Sequence, residues 1–249
     1  MKKLPFAAIC LAFSPLVAQN LPPTAPPAPP TPPPPLWSGK GELSYVSTSG
    51  NTSTQTLGFS AEAEYKPDPW AFLAKAAFVR AEADGEVKAK SFAALLKGSR
   101  KLFDHVDGFV QAGYVHNTFA GIDARYAGEA GIGYGVLTEG RHLLHVEVGL
   151  GYTKENRVLG DDRSFATARA GLQYKCVISK TAEFTEEPQF VEDLKDTNDW
   201  RFNNVAALSA SISTVFSLKV SHTFNYLREP PAGFGRTDTI TAAAVVAKF

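Results

Sequence analysis

The stretch Leu144-His145-Val146-Glu147-Val148-Gly149-Leu150-Gly151-Tyr152-Thr153 decides the fold. Apolar and polar or tiny residues alternate through it without a slip, which is the period of a strand and not of a helix. The next segment repeats the pattern, with Ala166, Ala168, Ala170, Leu172 and Tyr174 against Thr167, Arg169, Gly171, Gln173 and Lys175. Phe216, Leu218, Val220, Phe224 and Tyr226 alternate with Ser217, Lys219, Ser221, Thr223 and Asn225. Working outward, twelve such segments begin near Trp37, Thr52, Trp70, Val87, Gly108, Ala124, Leu143, Arg163, Thr181, Asp199, Val215 and Arg236. Most read as roughly 11 to 14 residues long, about twice a strand of a soluble sheet and enough to cross a bilayer at a tilt. The third and fourth are the weakest, because Ala71, Leu73, Phe92, Ala94 and Leu95 spread apolar side chains over both registers.

The connections and the aromatics test this reading. Stretches at 156–162, 193–198 and 227–235 read as outer loops, and those at 66–69, 138–142, 177–180 and 213–214 as tight inner turns, as a barrel with both termini in the periplasm requires. The first outer loop, Ser49-Gly50-Asn51, is short for that scheme, and the inner turn at 104–107 is long. Tyr65, Trp70, Phe72, Tyr134, Tyr174, Phe184, Phe216 and Phe249 fall on one face near the inner end, and Phe78, Tyr126, Tyr152, Phe190, Trp200, Phe224 and Tyr226 near the outer end. Two girdles around an Ala, Val and Leu band match a membrane barrel. Alternation alone leaves inside and outside interchangeable, so a soluble periplasmic barrel that binds a ligand is the alternative. The expected fold is an all-β, antiparallel, transmembrane outer-membrane β-barrel of about twelve strands over residues 37–249.

Ahead of it, residues 1–18 read as a cleaved secretory leader: Lys2 and Lys3, an apolar core from Leu4 to Val17, and small Ala18 before the cut. Residues 19–36 form a Pro-rich arm. Ten prolines between Leu21 and Pro35 remove backbone donors and fix φ, so this stretch can join neither helix nor sheet and extends as a rod on the order of 45 Å. Its expected role is a periplasmic spacer, or a contact with peptidoglycan or an envelope protein. The 25 basic and 25 acidic residues of the 249-residue chain leave no basic footprint for nucleic acid. Beyond the leader, no apolar run is long enough for a membrane helix. With Cys10 in the leader, Cys176 is left alone and makes neither an internal disulfide nor a Cys-based zinc site.

The last strand closes on Phe249, which is similar to the signal by which bacterial outer-membrane barrels are recognised by their insertion machinery. The opening Trp37-Ser38-Gly39-Lys40-Gly41-Glu42-Leu43-Ser44, followed by Ser49-Gly50-Asn51-Thr52, resembles that of an outer-membrane β-barrel domain family of unknown function that includes salt-induced outer-membrane proteins. The resemblance runs from Trp37 to Phe249. It implies a barrel in the bacterial outer membrane, in contact with its lipid, with no established activity and no catalytic residues to carry over.

On the inward register, Arg125, Glu129, His145, Glu147, Glu155, Arg163, Arg169 and Lys175 are the candidate lumen-lining residues. The expected register puts Glu155 opposite both Arg125 and Arg163, and Glu147 and Glu129 about a diagonal step from Arg169. Such pairs either set a transverse field across a narrow path for small polar or ionic solutes, or close a structural barrel. Inward Gly131, Gly133, Gly135, Gly149, Gly151 and Gly171 leave room for water or permit tight coiling. A lipid hydrolase on the outer wall is the competing class: His222 and Asn204 face outward at similar height, but Thr239 and Thr241 stand where a serine nucleophile is wanted. The expectation is no enzyme, no cofactor and no metal, since His105, His116, His142 and His145 lack ligand spacing. Gly131-x-Gly133-x-Gly135 opens no helix, so it is no nucleotide loop.

Overall fold

The computed structural model describes residues 35–48 and 54–249. The expected leader, all of the Pro-rich arm except Pro35 and Leu36, and the loop at Ser49–Asn51 lie outside the described residues. The described chain forms β1 (Trp37–Thr48), β2 (Thr54–Tyr65), β3 (Trp70–Ala83), β4 (Glu86–Phe103), β5 (Val106–Asn117), β6 (Ile122–Leu137) and β7 (His142–Arg157). It continues through β8 (Arg163–Val177), β9 (Ala182–Glu186), β10 (Gln189–Asp193), β11 (Trp200–Ser211), β12 (Phe216–Leu227) and β13 (Thr237–Lys248). All pairings are antiparallel between neighbours, and β1 pairs with β13, so the sheet closes on itself. Segments β9 and β10 both bridge β8 and β11 without a register shift, so they are two halves of one wall strand interrupted at Glu187-Pro188. The wall therefore has twelve positions, and the single ninth segment expected from the sequence is broken where Pro188 has no N–H to give a ladder.

Inside and outside are no longer interchangeable. Leu150 is 65% exposed and Glu155 1%, so the apolar face looks out and the charged face in, the reverse of a soluble barrel. Aromatics ring both edges of the outer face. Tyr65 stacks on Trp37 at 4.3 Å, and Phe72 lies beside both Tyr65 and Trp70, at the end that carries the termini. At the other end Trp200 sits between Phe190 and Tyr226, and Tyr114 beside Tyr126.

The inner turn expected to be long is short, because β4 and β5 extend the ladder until only Asp104 and His105 remain, with φ of 64° at His105. At the opposite end Asp84 and Gly85 both have positive φ and close β3 to β4 in two residues, as a type I′ hairpin demands. The longest connection, 228–236, lies at that same outer end between β12 and β13.

Candidate functional site

All eight candidate lumen residues lie on the inward register, and the structure gathers seven of them into two layers. The middle layer is built around Arg169 on β8. Its Nε donates to Glu129 Oε1 at 2.5 Å and its Nη2 to Glu147 Oε2 at 2.8 Å, while Gln111 holds the other oxygen of Glu129 at 2.7 Å. Lys97 on β4, three wall positions away, also donates to Glu147. His145 lies between Asp107, at 2.7 Å, and Glu147, at 3.4 Å. The ring of Phe109 packs under the Lys97 and Arg169 cations, 4.5 and 5.2 Å from its centre. The inward glycines are neither water-filled space nor mere coiling aids at this level: Phe109 occupies the hollow over Gly131 and Gly149, and His145 with Asp107 that over Gly133.

The outer layer is built around Glu155, which accepts from Arg125 Nε at 2.7 Å and Arg157 Nε at 2.8 Å, with Arg201 Nη1 at 3.6 Å. Arg163 corrects the expected pairing. Its backbone is opposite Glu155, yet its guanidinium turns to Asp193 at 2.9 Å and Asp199 at 2.6 Å, because two carboxylates reach it from β10 and the following loop whereas Glu155 already holds three arginines. Lys175 belongs to neither layer; it pairs with Glu183 at 2.6 Å near the inner end.

Two further features cross or cap the lumen. Lys75 on β3 pairs with Glu62 at 3.4 Å and with Glu187, in the break of the ninth wall strand, at 3.5 Å. Those wall positions are six apart in twelve, hence diametrically opposed. Strands about 4.8 Å apart and tilted by about 40° would make a round barrel roughly 24 Å wide, whereas an extended Lys and Glu with that gap span roughly 15 Å. The barrel is therefore oval at this height, and an ion pair crosses its short diameter. At the outer mouth, Ala120 and Ile122 from the β5–β6 side pack with Leu227 from the far side, Pro231 is fully buried, and Phe234 lies against Gly121. Arg157 ties the same loop down through the Glu229 carbonyl at 3.3 Å.

At the inner end lies an open vestibule of 670 Å³. It runs from the inner turns at Lys66–Pro69, Asp104–His105 and Thr138 to a floor of Lys97, Glu147 and Gln173. Among the described residues no group of three metal-ligating side chains comes together. On the outer wall, His222 Nδ1 lies 2.9 Å from Thr241 Oγ1, but Asn204 donates to Glu186 Oε1 at 3.1 Å and does not orient the histidine.

Reading the sequence missed Lys75, Lys97, Asp107, Phe109 and Glu187. Inward parity could be read for Phe109 and Glu187, whereas Lys75 and Lys97 lie on the two segments whose apolar side chains spread over both registers and Asp107 fell in an expected turn; only the closed barrel shows which walls face each other. At the chain end, Phe249 exchanges two backbone hydrogen bonds with Gly39, at 2.7 and 3.0 Å, and its ring is exposed.

Solved structures similar to this chain include an outer-membrane channel from Pseudomonas putida F1, at 9% identity over 86% of this chain and 95% of that one, with a TM-score of 0.48. The translocator domain of the autotransporter NalP from Neisseria meningitidis is similar at 13% identity over 86% and 87%, with a TM-score of 0.47. The NanC porin is similar at 10% identity over 85% and 97%, with a TM-score of 0.45. No curated protein matches. Residues 41–249, the barrel from its first strand to its last residue, match the family described as "Protein of unknown function, DUF481", and the chain belongs to that family.

Proposed function

We propose that the protein is a closed outer-membrane barrel that works from its periplasmic face, holding a small polar or ionic solute in the vestibule instead of passing it across, and that it catalyses no reaction. The ion pair between Lys75 and Glu187 carries this reading: it bridges opposite walls at 3.5 Å, and toward the outer end the Glu155 layer and the buried Pro231 of the loop at 228–236 narrow the way further. The vestibule offers both signs of charge, with Lys66, Lys97 and Lys101 facing Glu64, Asp107 and Glu147, which suits a zwitterion or a small salt-like solute better than a single-sign ion. Export through a leader cut after Ala18, insertion guided by Phe249 and deployment under salt or envelope stress belong to the same proposal, supported by the leader pattern, the terminal residue and the family resemblance of the opening stretch.

Labelling from the two sides tests it. Ser99→Cys, in a chain with Cys176→Ser, places a thiol in the vestibule wall. A bulky membrane-impermeant maleimide should label it when the periplasmic side is opened and leave it untouched on intact cells. Equal labelling from outside would mean that the lumen is a through-path.

A further inference from the structure

The outer wall carries a cluster of groups that hydrocarbon does not suit. Glu186 of β9 lies on the lipid-facing register, opposite inner-girdle Tyr174 on one side and Ala206 on the other, and along its own wall strand falls between Phe184 of the inner girdle and Phe190 of the outer. Across Ala206, on β12, stands His222, also outward and exposed. Asn204 is the outward residue next to Ala206; its Nδ2 donates to Glu186, and its Oδ1 is buried without a hydrogen-bond partner among the described residues. At this depth acyl chains offer neither donors nor acceptors, and an ionisable wall residue there calls for a protein partner.

We propose that this face, β9 to β13, is the contact surface of a dimer in the membrane and that its occupant is a second copy of the chain. The surface is self-complementary, which a two-fold contact requires. It places an acid and a base on either side of small Ala206. A two-fold axis along the membrane normal, passing in front of Ala206, brings each Glu186 to His222 of the partner subunit. Strand tilt sets His222 nearer the outer girdle than Glu186, and the carboxylate leans the same way to reach Asn204, which shortens the offset. Outward Ala206 and Ala243 are small, and Leu208 and Val220 beside them, both half exposed, supply apolar area for the contact. Such a contact gives the carboxylate a basic partner beside Asn204 and lies outside the lumen, so it is independent of whether the barrel is open.

Cysteine crosslinking of the full chain in outer membranes decides this. With Cys10 and Cys176 changed to Ser, Ala206→Cys sits at the proposed axis and should form a disulfide-linked dimer on oxidation. Ala130→Cys, outward on β6, is the control on another wall and should form several-fold less. Adding Glu186→Gln and His222→Leu together should lower the Ala206→Cys dimer several-fold while the heat-modifiable gel mobility of a folded barrel is kept. Equal crosslinking at the two positions, or an Ala206→Cys adduct of a mass other than twice the chain, overturns the proposal. Should Ala206→Cys fail to insert, the mass of the wild-type protein in native-lipid discs decides instead: twice the chain supports it, and one chain refutes it.

Discussion

Arg169 carries the middle layer, and its removal has a predictable cost. It is 6% exposed and answers Glu129 and Glu147 together, so Arg169→Ala leaves two largely buried carboxylates with only Lys97, Gln111 and His145 nearby. Breaking a buried pair from one side costs about 3–5 kcal/mol, against about 0–1 kcal/mol for an exposed one such as Lys40 with Glu62. The temperature at which heat-modifiability is lost should therefore fall clearly for Arg169→Ala and barely for Lys40→Ala. Equal shifts would show that the layer contributes nothing to the barrel's stability. Gly131 makes a steric counterpart. A Cβ there would run into the Val148 carbonyl and the Phe109 ring, so even Gly131→Ala must push the β6–β7 ladder apart. The expected outcome is a destabilised or uninserted barrel, whereas Gly128→Ala, on the open outer face of the same strand, should behave as wild type on the same gels.

At the scale of elements, the sequence announces every strand and says little about how strands end. Twelve starts can be read to within a couple of residues because one face of each strand must meet lipid, and a slip of one residue would invert it. The same alternation puts Glu155 opposite Arg125 and Arg163 in the register. It does not tell where a guanidinium turns, and Arg163 turns to Asp193 and Asp199, one at the end of a strand and the other in the outer loop that follows it. Nor does alternation expose the break at Glu187-Pro188, since both halves keep one parity; only the proline marks it. The arm ends where the ladder starts, for the Leu36 carbonyl already accepts from Lys66 at 2.8 Å and Trp37 opens β1. Deleting residues 21–34 while keeping the leader should leave insertion and heat-modifiability unchanged and weaken co-sedimentation with cell wall. A deletion variant that no longer inserts would place the arm within the fold.

The whole molecule holds what no single strand could say. Twelve positions and a tilt set a circumference, but the oval section follows from side chains meeting across it, and Lys75 and Glu187 are 112 residues apart with nothing in their spacing to pair them. The outer cap is equally non-local, joining Ala120 and Ile122 to Leu227. Both contacts bear on one claim, that the lumen is shut. Single-molecule conductance in planar bilayers tests it most directly, using the wild-type barrel beside a variant that combines Lys75→Ala, Glu187→Ala and deletion of residues 229–235. The wild type should give no conductance steps at moderate voltage while the variant gives discrete ones. Stable open-channel steps from the wild type, of the same size as those of the variant, would contradict the closed barrel.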